Sequence, residues 1–280
     1  MNIAIIGLGL IGGSICKTIK KNTTHTCLGI DTDPATLRAA LSDGAIDASI
    51  TPDDLHRADL SIICLHAKAT IDFILDHTAD FRPGSIVADV CGVKATVVNT
   101  VTDKLAKYGV SFVGTHPMAG REFSGYSYAT DTLFDSASLI ITPGKDQNAV
   151  CAMQKLAQQM RFKKIVLSTP ENHDKIIAFT SQLAHVVSNA YVKSPTIQNE
   201  SGFSAGSFLD LTRVAKLNEA MWSDLFIMNR DALLAEVDTL QTHLSQYREA
   251  LANGDTDAMR TLLKEGRVIK EDSMKLHSKD

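Results

Sequence analysis

The chain has 280 residues, 44% of them hydrophobic and 21% charged, which is enough for two domains with buried cores. Its formal net charge is −4 and no run of basic residues exceeds two, so it lacks the electrostatic footprint of a nucleic-acid binder. Five scattered cysteines (Cys16, Cys27, Cys64, Cys91 and Cys151) include no C-x-x-C pair; they indicate neither a zinc site nor a disulfide framework, and a reducing compartment is expected.

The first predicted element is a strand, Asn2–Ile6, which runs directly into "GLGLIGGS". Positive charges follow this apolar segment instead of preceding it, the reverse of a secretory signal. No run of about 18 apolar residues occurs, so no membrane span is expected and the chain reads as cytoplasmic. Gly7, Leu8, Gly9, Leu10, Ile11 and Gly12 form G-x-G-x-x-G between a strand and a helix. In that frame Gly7 permits the tight turn, Gly9 lets a pyrophosphate approach the backbone, and Gly12 lets helix and strand pack closely. The helix N-terminus adds free N–H groups and the positive end of its dipole. A second strand, Thr26–Ile30, ends at Asp31, where a carboxylate accepts hydrogen bonds from ribose hydroxyls and repels a 2′-phosphate. Thr32 stands where an arginine would suit the phosphorylated cofactor. NAD is therefore the expected cofactor, in preference to NADP. Asp33, and not Asp31, is the better cap for the helix beginning at Pro34.

Further strands are predicted at Leu60–Leu65, Ser85–Asp89, Ser111–Thr115, Ser138–Thr142 and Lys164–Leu167. Helical patterns occupy Gly12–Lys20, Pro34–Asp43, Ala69–Ala79, Ala95–Tyr108 and Ala149–Met160. Near-continuous Ile, Val and Leu suit strands of a parallel sheet covered on both faces. The alternation predicts a Rossmann-type, doubly wound α/β domain over residues 1–168. Beyond it only amphipathic patterns follow, at Asn172–Val192, Ser204–Leu217, Asn218–Ala252 and Thr256–Lys275, so residues 169–280 are expected to form an all-helical domain. Leu225, Met228, Leu233, Val237, Leu240, Leu244 and Tyr247 make one stripe along Asn218–Ala252, read as internal core or as a dimer seam.

Between two of the strands lies "THPMAGREFSG", Thr115–Gly125. It places His116 at the carboxyl edge of the sheet, where an open α/β fold binds ligands. An imidazole there titrates near neutrality and can take a hydroxyl proton as hydride leaves the same carbon. Taken alone, such a histidine is more often structural.

Several segments in order carry a resemblance: "GLGLIGGS", "DVCGVK" (Asp89–Lys94), "HPMAGREFSG", "ENHDKIIAFTSQLAH" (Glu171–His185), "GSFLDLTRVA" (Gly206–Ala215) and "MWSDLF" (Met221–Phe226). Together they resemble the prephenate dehydrogenase family, which includes arogenate and cyclohexadienyl dehydrogenases. The resemblance implies oxidative decarboxylation of prephenate to 4-hydroxyphenylpyruvate, or of arogenate to tyrosine, with hydride passing to NAD, and a homodimer formed through the helical domain. His116 corresponds to the family's catalytic histidine, His185 to a second active-site histidine, and Arg213 to the arginine that grips a substrate carboxylate. Asp210, one turn before Arg213, is placed to orient it. Arg121, Glu122 and Trp222 fall at positions near the substrate, although helix packing accounts for Trp222 equally well. Ser181 and Asn189 are expected to share the face of His185. His173 and Asp174 match a His-Asp pair read here as structural, and no residue set suggests a metal.

The chain departs from the family pattern at three places. Gly92 replaces a serine that bonds the catalytic histidine, leaving water, a backbone carbonyl or Thr96 as the expected partner of His116. Arg121 adds a cation that favours the prephenate dianion over zwitterionic arogenate. Leu209 stands where some relatives carry a basic residue. No βαββαβ pattern follows the helical segment, so the resemblance is to the single-function form without an ACT or chorismate mutase domain. Two other readings make distinct demands. A β-hydroxyacid dehydrogenase needs a catalytic lysine in the helical domain, and an NAD-sensing regulator needs a DNA-binding element; the sequence offers neither.

Overall fold

A computed structural model describes residues 1–121 and 123–277. Among them, strands β1 (Asn2–Ile6), β2 (Thr26–Ile30), β3 (Ala48–Ser49), β4 (Leu60–Ile63), β5 (Ile86–Asp89), β6 (Ser111–Pro117), β7 (Ser138–Thr142) and β8 (Lys164–Leu167) form one sheet in the order β3-β2-β1-β4-β5-β6-β7-β8. The order reverses beside β1: the chain builds outward to β3, then returns to lay β4 on the other side. In a doubly wound sheet that reversal opens a ligand crevice at the carboxyl ends of the strands.

Alternation along β1 explains why its residues are nearly all apolar. Ile3 and Ile5 join one core, with α1 (Leu10–Asn22), α2 (Pro34–Ser42) and α5 (Gln147–Gln159). Ala4 and Ile6 join the opposite core, with α3 (Ala67–Asp76) and α4 (Ala95–Ala106). Each fully buried Ile side chain contributes about 1.5–3 kcal/mol relative to exposure. Both faces are thus covered, as the apolar runs require.

Three expectations are corrected. First, β7 pairs antiparallel with β6, whereas the remaining pairs are parallel. In the connection between them, the described residues of 118–137 carry a short 3-10 turn at Tyr126–Tyr128 and no crossover helix, and the chain doubles back. Second, β6 continues through Pro117, so His116 lies within a strand, opposite Ile140, and not after it. Third, the long pattern at 218–252 is not one helix. It divides into α9 (Glu219–Met228) and α10 (Arg230–Asn253) at Asn229, whose buried amide donates to the Asp174 carbonyl (2.9 Å) and to Gln182 Oε1 (2.7 Å). The single apolar stripe is therefore interrupted: Leu225 and Met228 pack into the sheet's second core, while Leu244 on α10 is exposed.

The intervening segment forms α6 (Pro170–Ile177), a π-helical turn at Ala178–Gln182, α7 (Leu183–Tyr191) and α8 (Gly206–Thr212). The chain separates into two compact units, Met1–Arg230 and Asp231–Asp280. In the second, α10 and α11 (Thr256–His277) fold back on each other about Gly254, and the Tyr247 hydroxyl donates to the Leu262 carbonyl at 3.4 Å. These helices expose Leu234, Leu251, Leu263, Ile269 and Met274.

Candidate active site

The glycine turn has the backbone its sequence requires. Gly7 adopts φ +90°, and a Cβ there would lie 2.7 Å from the Cys64 carbonyl oxygen at the end of β4. A Cβ at Gly12 would collide with the Gly7 carbonyl oxygen, whereas nothing lies within 4 Å of the corresponding point at Gly9. Gly9 is the N-cap of α1 and supplies no capping side chain, so Leu10, Ile11 and Gly12 present the first N–H groups of the helix. Asp31 Oδ2 accepts from the Leu8 N–H at 2.7 Å and Oδ1 from the Asp33 N–H at 2.9 Å. Each oxygen keeps a lone pair for a ribose hydroxyl. Asp33 caps α2 through the N–H groups of Ala35 and Thr36, as expected. A tight turn, open space above Gly9, an uncapped helix start and an adjoining carboxylate together fit a dinucleotide.

Along the same sheet edge, the β5 and β6 ends are tied by a buried ion pair. Lys94, fully enclosed, contacts the Asp89 carboxylate and donates to the Thr115 carbonyl at 2.7 Å. Asp89 Oδ1 accepts from the Thr115 N–H at 3.2 Å, and Oδ2 from the Cys91 N–H at 3.0 Å. These bonds fix the backbone immediately before His116.

His116 is partly exposed, and its Nδ1 lies 2.9 Å from His173 Nε2. His173 Nδ1 in turn lies 2.7 Å from Asp174 Oδ1. Burial, and then the charge of Lys94 and the neighbouring His173, hold the His116 imidazole well below its ordinary pKa of 6.5. The Nε2 edge faces Gly92: a Cβ there would stand 3.9 Å from Nε2 and 3.8 Å from Leu225 Cδ2 of α9. Thr96, one of the partners expected from sequence, bonds the Met228 carbonyl instead, at 3.3 Å. The partner is His173, 57 residues away, a residue expected from sequence to be structural.

His185 lies on α7. Its Nδ1 donates to the Val214 carbonyl at 3.1 Å, and its ring centre lies 3.9 Å from that of Trp222, which also meets Phe226. Burial lowers its pKa; the bond to Val214 opposes that shift and the nearby Arg213 charge reinforces it. Asn189 does share this face, donating to the Ala215 carbonyl at 3.1 Å. Ser181 falls within the π turn, so α-helical spacing from His185 does not extend back to it. Leu225 and Trp222 are one turn apart on α9, and α9 thereby approaches Gly92 and touches the ring of His185.

Arg213 follows α8 directly, beside Val214, and is exposed. Asp210 is exposed as well, and among the described residues no ion pair joins it to Arg213, so the expected orienting contact is not made. Arg121 is exposed; Glu122 lies outside the described residues. A cavity of about 630 Å³ between Tyr191, Phe203 and Phe208 is lined by none of the residues expected at the site. No group of three metal-binding side chains occurs, and no helix is long and apolar enough to cross a membrane, among the described residues.

Residues 15–178 match the family described as "Prephenate dehydrogenase, nucleotide-binding domain", and residues 169–265 match "Prephenate dehydrogenase, dimerization domain". The prephenate dehydrogenase of Bacillus subtilis (strain 168) is 33% identical over 264 residues, covering 87% of this chain and 70% of the relative. The cyclohexadienyl dehydrogenase of Zymomonas mobilis is 29% identical over 281 residues, covering 95% and 94%. The crystal structure of A. aeolicus prephenate dehydrogenase, in complex with hydroxyphenyl propionate and NAD+, has the same fold, with a TM-score of 0.86 at 24% identity over 99% of this chain and 98% of that one. The dinucleotide turn, the histidine at the sheet edge and the helical segment that follows are thus found in a chain that belongs to the prephenate dehydrogenase family.

Proposed function

We propose that the protein is an NAD-dependent prephenate dehydrogenase, oxidising and decarboxylating prephenate to 4-hydroxyphenylpyruvate. The observation that carries this reading is His116: one ring nitrogen is tied back into the protein and the other faces Gly92 at the carboxyl edge of the sheet. Bound NAD supplies the hydride acceptor, held over Gly9 with its ribose hydroxyls at Asp31. His116 Nε2 takes the proton of the ring hydroxyl, and a depressed pKa keeps that nitrogen free at neutral pH. Arg213 pairs with a substrate carboxylate, a task suited to its planar fork. His185 and Trp222 line the same side, with His185 Nε2 left available by the bond at Nδ1. Loss of carbon dioxide and aromatisation of the ring provide the driving force, so placement of groups is the enzyme's main contribution.

In this reading residues 1–168 bind NAD, residues 169–280 bind substrate and form a homodimer, and the protein works in the cytoplasm. Arg121, exposed and without an ion pair among the described residues, favours prephenate over arogenate by attracting the second carboxylate. Glu122 and Asp210 complete the polar surroundings of the substrate. Formation of NADH with prephenate and with arogenate, measured separately for the wild type and for His116→Asn, tests the reading. Turnover of prephenate that collapses in the variant is expected. Turnover of arogenate alone would overturn the substrate assignment, and no turnover of either would overturn the function.

A further inference from the structure

We propose that His173 and Asp174 are positioning residues that set the tautomer of His116 from its Nδ1 side. The inference rests on His116 being the base of the proposed reaction, and it follows from counting donors and acceptors along three side chains from separate elements.

The count starts at Asp174. Its Oδ1 accepts the Lys94 N–H at 2.7 Å and its Oδ2 the Ala95 N–H at 2.8 Å. The carboxylate of α6 therefore caps α4, whose own N-cap residue Lys94 provides no side-chain cap. A carboxylate so placed at a helix start is stabilised as an acceptor. His173 Nδ1, 2.7 Å from Oδ1, must then carry the proton and donate it. In a neutral imidazole the second nitrogen is bare, so His173 Nε2 accepts. His116 Nδ1, 2.9 Å from it, must be the donor. That leaves His116 Nε2 bare, on the edge facing Gly92, in the form a base requires.

The arrangement also suits the product of proton transfer. When Nε2 receives the hydroxyl proton, the Nδ1 proton stays on His116, and its bond to His173 becomes charge-assisted and stronger. No proton travels along the chain of residues. The charged groups around the ring are Lys94 and Asp89, paired with each other from α4 and β5, and Asp174 from α6; α9 presents the apolar Leu225. Lys94 and His173 both oppose the imidazolium, and so keep His116 neutral until it takes the hydroxyl proton. His173 is 1% exposed and both its nitrogens are engaged, so it has no remaining contact to make with substrate.

The test uses two variants of the full-length protein. His173→Phe keeps a ring of similar shape and removes both bonds. His173→Gln keeps an acceptor that can reach His116 Nδ1. Side-chain nitrogen NMR of His116 is expected to show Nδ1–H with bare Nε2 in the wild type, a shift toward Nε2–H in His173→Phe, and partial return in His173→Gln. In parallel, kcat should fall on the order of 100-fold in His173→Phe with KM nearly unchanged, and recover in part in His173→Gln. An unaltered His116 tautomer in both variants would overturn the proposal, whether or not activity or thermal stability fell. If the wild type failed to oxidise prephenate, the proposed function would fall while the NMR result would still decide the tautomer.

Discussion

His116 and His185 each have Nδ1 engaged, yet the protein supports them to different depths. His116 stands on a strand of a sheet covered on both faces, and its partner His173 is itself held by Asp174, which is held by the start of α4. His185 stands on a half-buried helix, bonded to one backbone carbonyl and packed at a tilt against one tryptophan. Burial is the first cause of a lowered pKa in both. At His116 the second cause is the enclosed Lys94, which deepens the shift, whereas at His185 the second is the Val214 carbonyl, which opposes it. A group that must exchange a proton gains from a rigid, several-layered support; a group that only orients a ligand needs one fixed hydrogen bond. This difference supports the proposal that His116 carries the chemistry, and suggests for His185 a part in binding.

The largest expected effect tests that assignment directly. His116→Asn should lower kcat by about 10²–10⁴-fold with little change in KM, the usual range for loss of a general base. His185→Asn should lower kcat by less than about tenfold and act mainly on KM. Equal losses of kcat in steady-state assays would erase the distinction.

Next in size is Arg213→Ala, expected to raise KM for prephenate by about 10- to 100-fold, as loss of a charge-assisted pair worth about 1.5–3 kcal/mol implies. An unchanged KM would remove Arg213 from the substrate site and weaken the case for His185 beside it.

A smaller effect concerns pH. The acid limb of kcat/KM should fall below 6.5, the ordinary imidazole value, because folding holds His116 neutral. A limb at or above that value would mean that burial and Lys94 do not govern the base. The sign for stability follows from the same shift. A folded pKa below the unfolded one means that the unfolded chain binds the extra proton. The contribution is therefore complete above the unfolded value and is lost as pH falls toward the folded one. Smallest of all, Asp31→Asn should narrow the preference for NAD over NADP in paired assays, since it removes the charge that repels a 2′-phosphate.

Much of the site was legible where chemistry is local. The turn at Gly7–Gly12 is a property of adjacent residues, and Asp31 is tied to it by one hydrogen bond at the end of the neighbouring strand. The cap at Asp33 is equally local. His116 was readable because its segment sits at the end of an apolar run and resembles a known motif. The break at Asn229 was not readable, because apolar spacing continues across it. What interrupts the helix is a buried amide bonding to Asp174 and Gln182, residues far away in the chain. The same holds for the direction of β7, which apolar content does not encode.

The sequence by itself determined the α/β class, the dinucleotide turn and its carboxylate, and the family, because each depends on short-range backbone geometry or on ordered motifs. The tertiary structure alone decided what faces His116. Asp89 and Lys94 meet across the end of β5, and His173 arrives from α6 only when that helix docks and Asp174 caps α4. Hydrogen-bond partners separated by 57 residues are chosen by packing, and Thr96, one of three partners open to His116 in the sequence, bonds the Met228 carbonyl instead.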